Sequence, residues 1–121
     1  MSGKLTTHVL DTARGCPAVG MQIELTRIND GLETLIAKVV TNTDGRTDTP
    51  MLQGEAFSIG VYQLTFRAGE YLRASQPDLA HKDGPLFLDD IPIRFGIAQA
   101  DAHYHVPLLI SPYAFSTYRG S

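Results

Sequence analysis

The sequence predicts an all-β protein: an antiparallel sandwich of short strands with a single short helix. Three observations predict it. Apolar and polar residues alternate with period two over several stretches, the spacing that buries one face of a strand. Gly, Pro, Asn and Asp punctuate those stretches at short intervals. No stretch carries a long amphipathic helical repeat, which argues against alternating strand–helix units.

Taken in order, residues 5–11 read as a first strand, turned by Arg14-Gly15-Cys16-Pro17. Residues 21–28 alternate strictly, with Met21, Ile23 and Leu25 on one face and Gln22, Glu24 and Thr26 on the other. Asn29-Asp30-Gly31 is a hairpin turn, because Asn, Asp and Gly tolerate positive φ. Residues 34–41 form the third strand, ended by Asn42-Thr43-Asp44-Gly45. Residues 61–66 alternate again, and 68–75 tolerate helix for two turns before Pro77 limits extension. Residues 76–90 read as a polar surface loop. Strands follow over 92–97 and 104–110, then a turn at Ser111-Pro112-Tyr113 and a last strand over 115–119. That makes about seven or eight strands, the density expected of a sandwich.

Composition narrows the function classes. A chain of 121 residues fits one domain spanning 1–121. The formal net charge of -3, with basic residues scattered singly, supplies no field to attract nucleic acid or an anionic membrane. No apolar run approaches the roughly 20 residues of a membrane span. The amino terminus lacks the apolar stretch of a secretory signal, and Arg119-Gly120-Ser121 is not a peroxisomal address. The single cysteine, Cys16, excludes an intrachain disulfide. A cytoplasmic location is the expectation.

Strand alternation places His8 with Leu10 on one face, and His103, His105, Pro107 and Leu109 on one face of a late strand. Histidine is the side chain suited to acid–base work near neutral pH. His81, in the polar loop, reads as a surface histidine. His103 and His105 could form a metal pair with His8 as third ligand, but no Asp, Glu or Cys completes a closed shell. No metal and no cofactor are therefore expected. Arg46 follows the third strand; alone it is a solvated turn residue, and beside a histidine it is a fixed charge that binds an anion or lowers the histidine pKa. The terminal Tyr118-Arg119-Gly120-Ser121 would ordinarily fray, unless the aromatics Tyr113, Phe115 and Tyr118 anchor it. Cys16 has no evident histidine partner, and Gly-x-Ser-x-Gly, P-loop and dinucleotide motifs are absent.

Three separated motifs carry a resemblance. Leu5-Thr6-Thr7-His8-Val9-Leu10-Asp11 with Gly15-Cys16-Pro17-Ala18 resembles the opening of the transthyretin superfamily. Tyr104-His105-Val106-Pro107-Leu108-Leu109-Ile110-Ser111-Pro112-Tyr113 resembles its late strand and turn, and Ser116 to Ser121 resembles the ending of its 5-hydroxyisourate hydrolase branch. The resemblance implies a transthyretin-like sandwich of two four-stranded sheets with one short helix. It also implies a homotetramer, a dimer of dimers with active sites at the mouths of a channel. The branch's His/Arg/His set falls on His8, Arg46 and His105, and its terminal tetrapeptide on Tyr118, Arg119, Gly120 and Ser121, which would bind and enclose the substrate. The implied reaction opens the six-membered ring of 5-hydroxyisourate without a cofactor. Which histidine is the base stays open. The alternative is a non-catalytic carrier using the same channel. In carriers a Lys stands at position 8, a Glu at 46 and a Thr at 105, and this chain departs from all three.

Overall fold

The computed structural model describes residues 3–80 and 83–121, so His81 lies outside the described residues. In chain order the first strands are β1 (Lys4–Thr6), β2 (Val9–Asp11), β3 (Cys16–Pro17), β4 (Gln22–Asn29) and β5 (Leu32–Val40). Then come β6 (Leu52–Gln53), β7 (Gly60–Arg67), helices α1 (Ala68–Ser75) and α2 (Pro77–Ala80), and β8 (Asp90–Ile97). The chain closes with β9 (His103–His105), β10 (Leu108–Ser111) and β11 (Ala114–Thr117).

One layer is a regular antiparallel sheet in the order β5-β4-β7-β8. Its register sets Ile23 opposite Phe66 and Leu25 opposite Leu64. All four side chains are fully buried, as the period-two pattern requires. Each such side chain contributes about 1.5–3 kcal/mol relative to exposure. The turn predicted at 29–31 joins β4 to β5, with Asp30 at a φ of 51°.

The opposite layer is assembled from shorter pieces, β6-β1-β9 and β11-β10-β2-β3. Here β1 pairs with β9, and β2 with β10, in parallel. Residues 5–11 and 104–110, predicted as unbroken strands, are each interrupted, at Thr7-His8 and at Val106-Pro107. Pro107 offers no N–H to the ladder. The pairing shifts around it: Val106 N donates to Thr6 O at 2.9 Å and Leu108 N to His8 O at 2.9 Å. The interruption corrects one expectation. Val106, Pro107 and Leu108 are buried in succession, so Pro107 does not share the half-buried face of His103 and His105.

Other differences are local. The turn at 14–17 contains the two-residue strand β3, which pairs Leu10 with Pro17 and Asp11 with Cys16. Strand β6 was not expected. The loop over 76–90 holds α2, opened by Pro77, whose missing N–H is tolerated at a helix start. The last strand ends at Thr117 rather than 119. Helix α1 stops at Ser75 as predicted, because Gln76 before Pro77 is held extended, at a ψ of 105°. Tyr71 of α1 donates to the buried Asp11 at 2.7 Å, tying helix to sheet.

The core lies between the layers. Leu5, Val9, Leu108 and Ile110 from one side meet Ile23, Leu25, Leu64 and Phe66 from the other. His8, His103 and His105 sit on the outward face of the interrupted layer.

Candidate active site

Parallel pairing of β1 with β9 sets Lys4 beside His103 and Thr6 beside His105. Thr6 is two residues before His8, so their side chains leave the same face. The Thr6 hydroxyl therefore falls between two imidazoles, with Oγ1 2.7 Å from His103 Nε2 and 2.7 Å from His105 Nδ1. The chain continues: His105 Nε2 lies 2.7 Å from His8 Nδ1. The His8 and His105 rings stack, with centroids 4.8 Å apart. Both ring nitrogens of His105 are thus engaged. His8 Nε2 and His103 Nδ1 have no hydrogen-bond partner among the described residues.

Arg46 reaches this cluster through the turn that the sequence marks with Asn42 and Gly45. Asn42 Oδ1 accepts from Asp44 N at 2.9 Å and from Arg46 N at 3.2 Å. Gly45 has a φ of 73°, and a Cβ there would lie 2.5 Å from Val9 O. Only glycine permits that approach. With it, Val9 N donates to Gly45 O at 2.8 Å, and Arg46 forms an isolated antiparallel bridge with His8. The break between β1 and β2 is where this turn docks.

The electrostatics favour neutral imidazoles. Burial, then the Arg46 charge, lowers the His8 pKa. Burial lowers His105 further, with His8, Arg46 and His103 adding, to about 4. His103 is lowered by burial, then by Lys4 and Arg119. A neutral imidazole can accept a proton at one nitrogen while donating from the other.

The carboxyl-terminal tail is ordered, but not through the expected aromatics: Tyr113, Phe115 and Tyr118 are exposed, and the tail is held by its backbone and by Arg119. Gly120 N donates to His105 O at 2.7 Å, and His105 N donates to Gly120 O at 3.2 Å. A Cβ at position 120 would stand 3.2 Å from His105 Cβ, so glycine lets the tail run close beneath the ring. Arg119 places its guanidinium 4.2 Å above the Tyr104 ring, a cation–π contact. Tyr118 and Arg119 line a cleft of about 370 Å³ with Phe95, Tyr104 and Val106. Thr6 and Arg46 line a separate hollow of about 130 Å³. Ser121 is exposed.

The structure thus brings His8, Arg46, His105 and Gly120 together, whereas Tyr118 and Arg119 line a cleft that contains none of the histidines. Thr6 is the functional candidate that sequence reasoning missed. Its i, i+2 spacing from His8 was the available signal, but a strand threonine has a common packing role. Among the described residues no three His, Cys, Asp or Glu side chains are arranged to hold a metal ion. The predicted His103/His105 pair instead converges on the Thr6 hydroxyl. A larger hollow of about 750 Å³, lined by Arg14, Cys16, Glu70 and Tyr71, contains no histidine.

A β-sandwich presenting two stacked imidazoles of lowered pKa beside an arginine has the parts of an acid–base centre. The chain belongs to the HIUase/Transthyretin family, which matches residues 5–120. It is 60% identical to the 5-hydroxyisourate hydrolase of Pseudomonas aeruginosa over 98% of this chain and 92% of that protein. Among solved structures, an (S)-allantoin synthase superposes with a TM-score of 0.89 at 51% identity, covering 99% of this chain. This chain spans 44% of that protein's length. The 5-hydroxyisourate hydrolase of Klebsiella pneumoniae has a TM-score of 0.77 at 33% identity, covering 98% of this chain and 99% of that one.

Proposed function

We propose that the protein hydrolyses 5-hydroxyisourate, opening the six-membered ring to 2-oxo-4-hydroxy-4-carboxy-5-ureidoimidazoline in urate breakdown. The observation that carries this is the 2.7 Å contact of His8 with His105, beside Arg46, in a chain 60% identical to a hydrolase of that substrate.

The reaction adds water across a cyclic amide: hydroxide joins the carbonyl carbon, the C–N bond breaks, and the nitrogen takes the proton. It needs a base, a stabiliser for the oxyanion and an acid for the leaving nitrogen. His8 is the base, because Nε2 is the nitrogen of the stacked pair without a protein partner. His105 fixes the His8 tautomer from behind. Arg46 supplies positive charge to the oxyanion and keeps both imidazoles neutral. The proton that His8 removes from water returns to the departing nitrogen.

Tyr118, Arg119, Gly120 and Ser121 wall the site and orient the ring. The Gly120 backbone pair with His105 supports that placement. The domain of 1–121 acts as a cytoplasmic homotetramer, a dimer of dimers, without a cofactor, nucleic acid or membrane. The carrier reading loses on chemistry, since ionisable side chains stand at 8, 46 and 105 in a proton-transfer geometry.

The test generates 5-hydroxyisourate from urate in situ and follows its ultraviolet decay. Decay accelerated in proportion to added protein supports the proposal. Decay at the spontaneous rate contradicts it.

A further inference from the structure

We propose that Thr6 and His103 complete a proton relay behind the catalytic pair. The relay runs from His8 Nε2, through His8 Nδ1, His105 Nε2 and Nδ1 and Thr6 Oγ1, to His103 Nε2 and finally His103 Nδ1. It rests on the hydrolase reading above and extends it to two residues that touch no substrate.

Geometry carries the inference. Three consecutive contacts of 2.7 Å join four side chains in one line. A hydroxyl has one proton to donate, so Thr6 accepts from one histidine while donating to the other. That makes the line directional, with two self-consistent settings. In the first, His8 Nδ1–H donates to His105 Nε2, His105 Nδ1–H to Thr6 Oγ1, and Thr6 Oγ1–H to His103 Nε2. His8 Nε2 then carries a lone pair, and His103 Nδ1 carries a hydrogen. In the second setting every hydrogen has moved one place. His8 Nε2 carries the hydrogen, and His103 Nδ1 is bare.

Switching from the first to the second takes a proton from the attacking water at one end and releases a proton to solvent at the other. Each imidazole remains neutral throughout. When His8 Nε2–H protonates the departing nitrogen, the line switches back and His103 Nδ1 recovers a proton from solvent. Protons balance over the cycle, and hydrolysis consumes only water.

The need for such a line follows from the surroundings. A base that simply kept the proton would become an imidazolium beside Arg46, within a partly desolvated stack. Both the charge and the burial oppose that state. Releasing a proton to solvent from His103 Nδ1, at the half-buried start of β9, leaves no imidazolium in the site. Thr6 is the required link, because His103 and His105 rings meet edge-on with centroids 6.3 Å apart and exchange no direct hydrogen bond.

The experiment compares Thr6→Val, Thr6→Ser and His103→Ala with the parent protein in the urate-coupled assay. A positioned acid–base group contributes about 10²–10⁴-fold, and loss of a relay behind one should cost on the order of tenfold to a hundredfold in kcat. Thr6→Val is expected to show that loss with KM unchanged. Thr6→Ser keeps the hydroxyl and should restore kcat, which a role for the methyl group in packing would not do. His103→Ala should lose a similar factor and regain it with added imidazole, a mobile substitute for the proton exit. Thr6→Val at the full parental kcat overturns the relay. So does a His103→Ala defect that imidazole leaves untouched, and this arm decides alone if Thr6→Val does not fold. An inactive parent protein would instead overturn the hydrolase reading.

Discussion

The two layers of this molecule are built by different rules. The β5-β4-β7-β8 sheet is antiparallel throughout, and burial alternates cleanly along β7 and β8 and over the first half of β4, before a register shift against β5 at Leu25/Thr26. The facing layer mixes parallel pairs, β1 with β9 and β2 with β10, with short antiparallel ones, and is broken at Thr7-His8 and Val106-Pro107. The regular layer supplies much of the buried core. The broken layer supplies edges, where a turn brings Arg46 to His8 and the tail brings Gly120 to His105. An unbroken ladder would have filled those backbone positions. The lesson is a division of labour, with stability concentrated where the pattern is most regular and chemistry where it is interrupted.

That division can be broken by substitution. On the chemical side, His8→Ala, Arg46→Ala and His105→Ala should each lower kcat on the order of 10²–10⁴-fold, the range for a lost acid–base or charge-stabilising group. Their thermal midpoints should stay close to the parent's, because these side chains lie outside the core. On the structural side, Leu64→Ala should cost about 2–5 kcal/mol of stability by leaving a cavity. The rate per folded molecule should be preserved. Urea unfolding and active-site-normalised kinetics read both. A site variant that unfolds, or a Leu64 variant that is folded but inactive, would erase the contrast.

A smaller effect sharpens the boundary between layers. Removing Arg119 to Ser121 takes away the Gly120 bridge to His105 and the Arg119–Tyr104 contact, but no core side chain. Misplacing substrate by about 1 Å costs on the order of a hundredfold in rate. The truncated protein should therefore lose about that factor while circular dichroism still reports β-structure. Full activity after truncation would remove the tail from the site.

Acid should weaken the fold modestly, in part through the histidines of the broken layer. Burial above all holds the folded-state pKa of His105 at about 4, against 6.5 for an ordinary histidine. Between those values the unfolded chain binds the extra proton, so its stabilising contribution is complete above 6.5 and lost as pH falls toward 4. The urea midpoint should decline over that window, and His105→Ala should flatten part of the decline. Prolonged chelation should change neither activity nor midpoint; activity lost to chelation and restored by zinc would revive the metal reading of His103 and His105.

The regular layer was the legible one. The alternation over 21–28 and 61–66 located β4 and β7 nearly to the residue, and Pro77 fixed the end of α1. In the broken layer the motif residues were legible while their arrangement was not. A two-residue strand such as β6 carries no period to detect. The break at Pro107 depends on which neighbour the strand pairs with, a long-range matter. The spacing after His103 located His105, yet Thr6 acquires its place only through the parallel register of β1 on β9. Arg46 stood out through its family match, and the turn that delivers it rests on Gly45.

The central claim is that burial and Arg46 hold the catalytic imidazoles neutral and ready to accept a proton. It is tested most directly by the pH dependence of kcat/KM for 5-hydroxyisourate hydrolysis, which reports groups of the free enzyme. Because the His8 pKa is lowered and that of His105 falls to about 4, the account predicts a plateau that extends below pH 6.5, with the acid fall well beneath the usual histidine range. Arg46→Ala should move that fall back toward 6.5. An acid limb at or above 6.5 in the parent protein, unmoved by Arg46→Ala, would contradict the account.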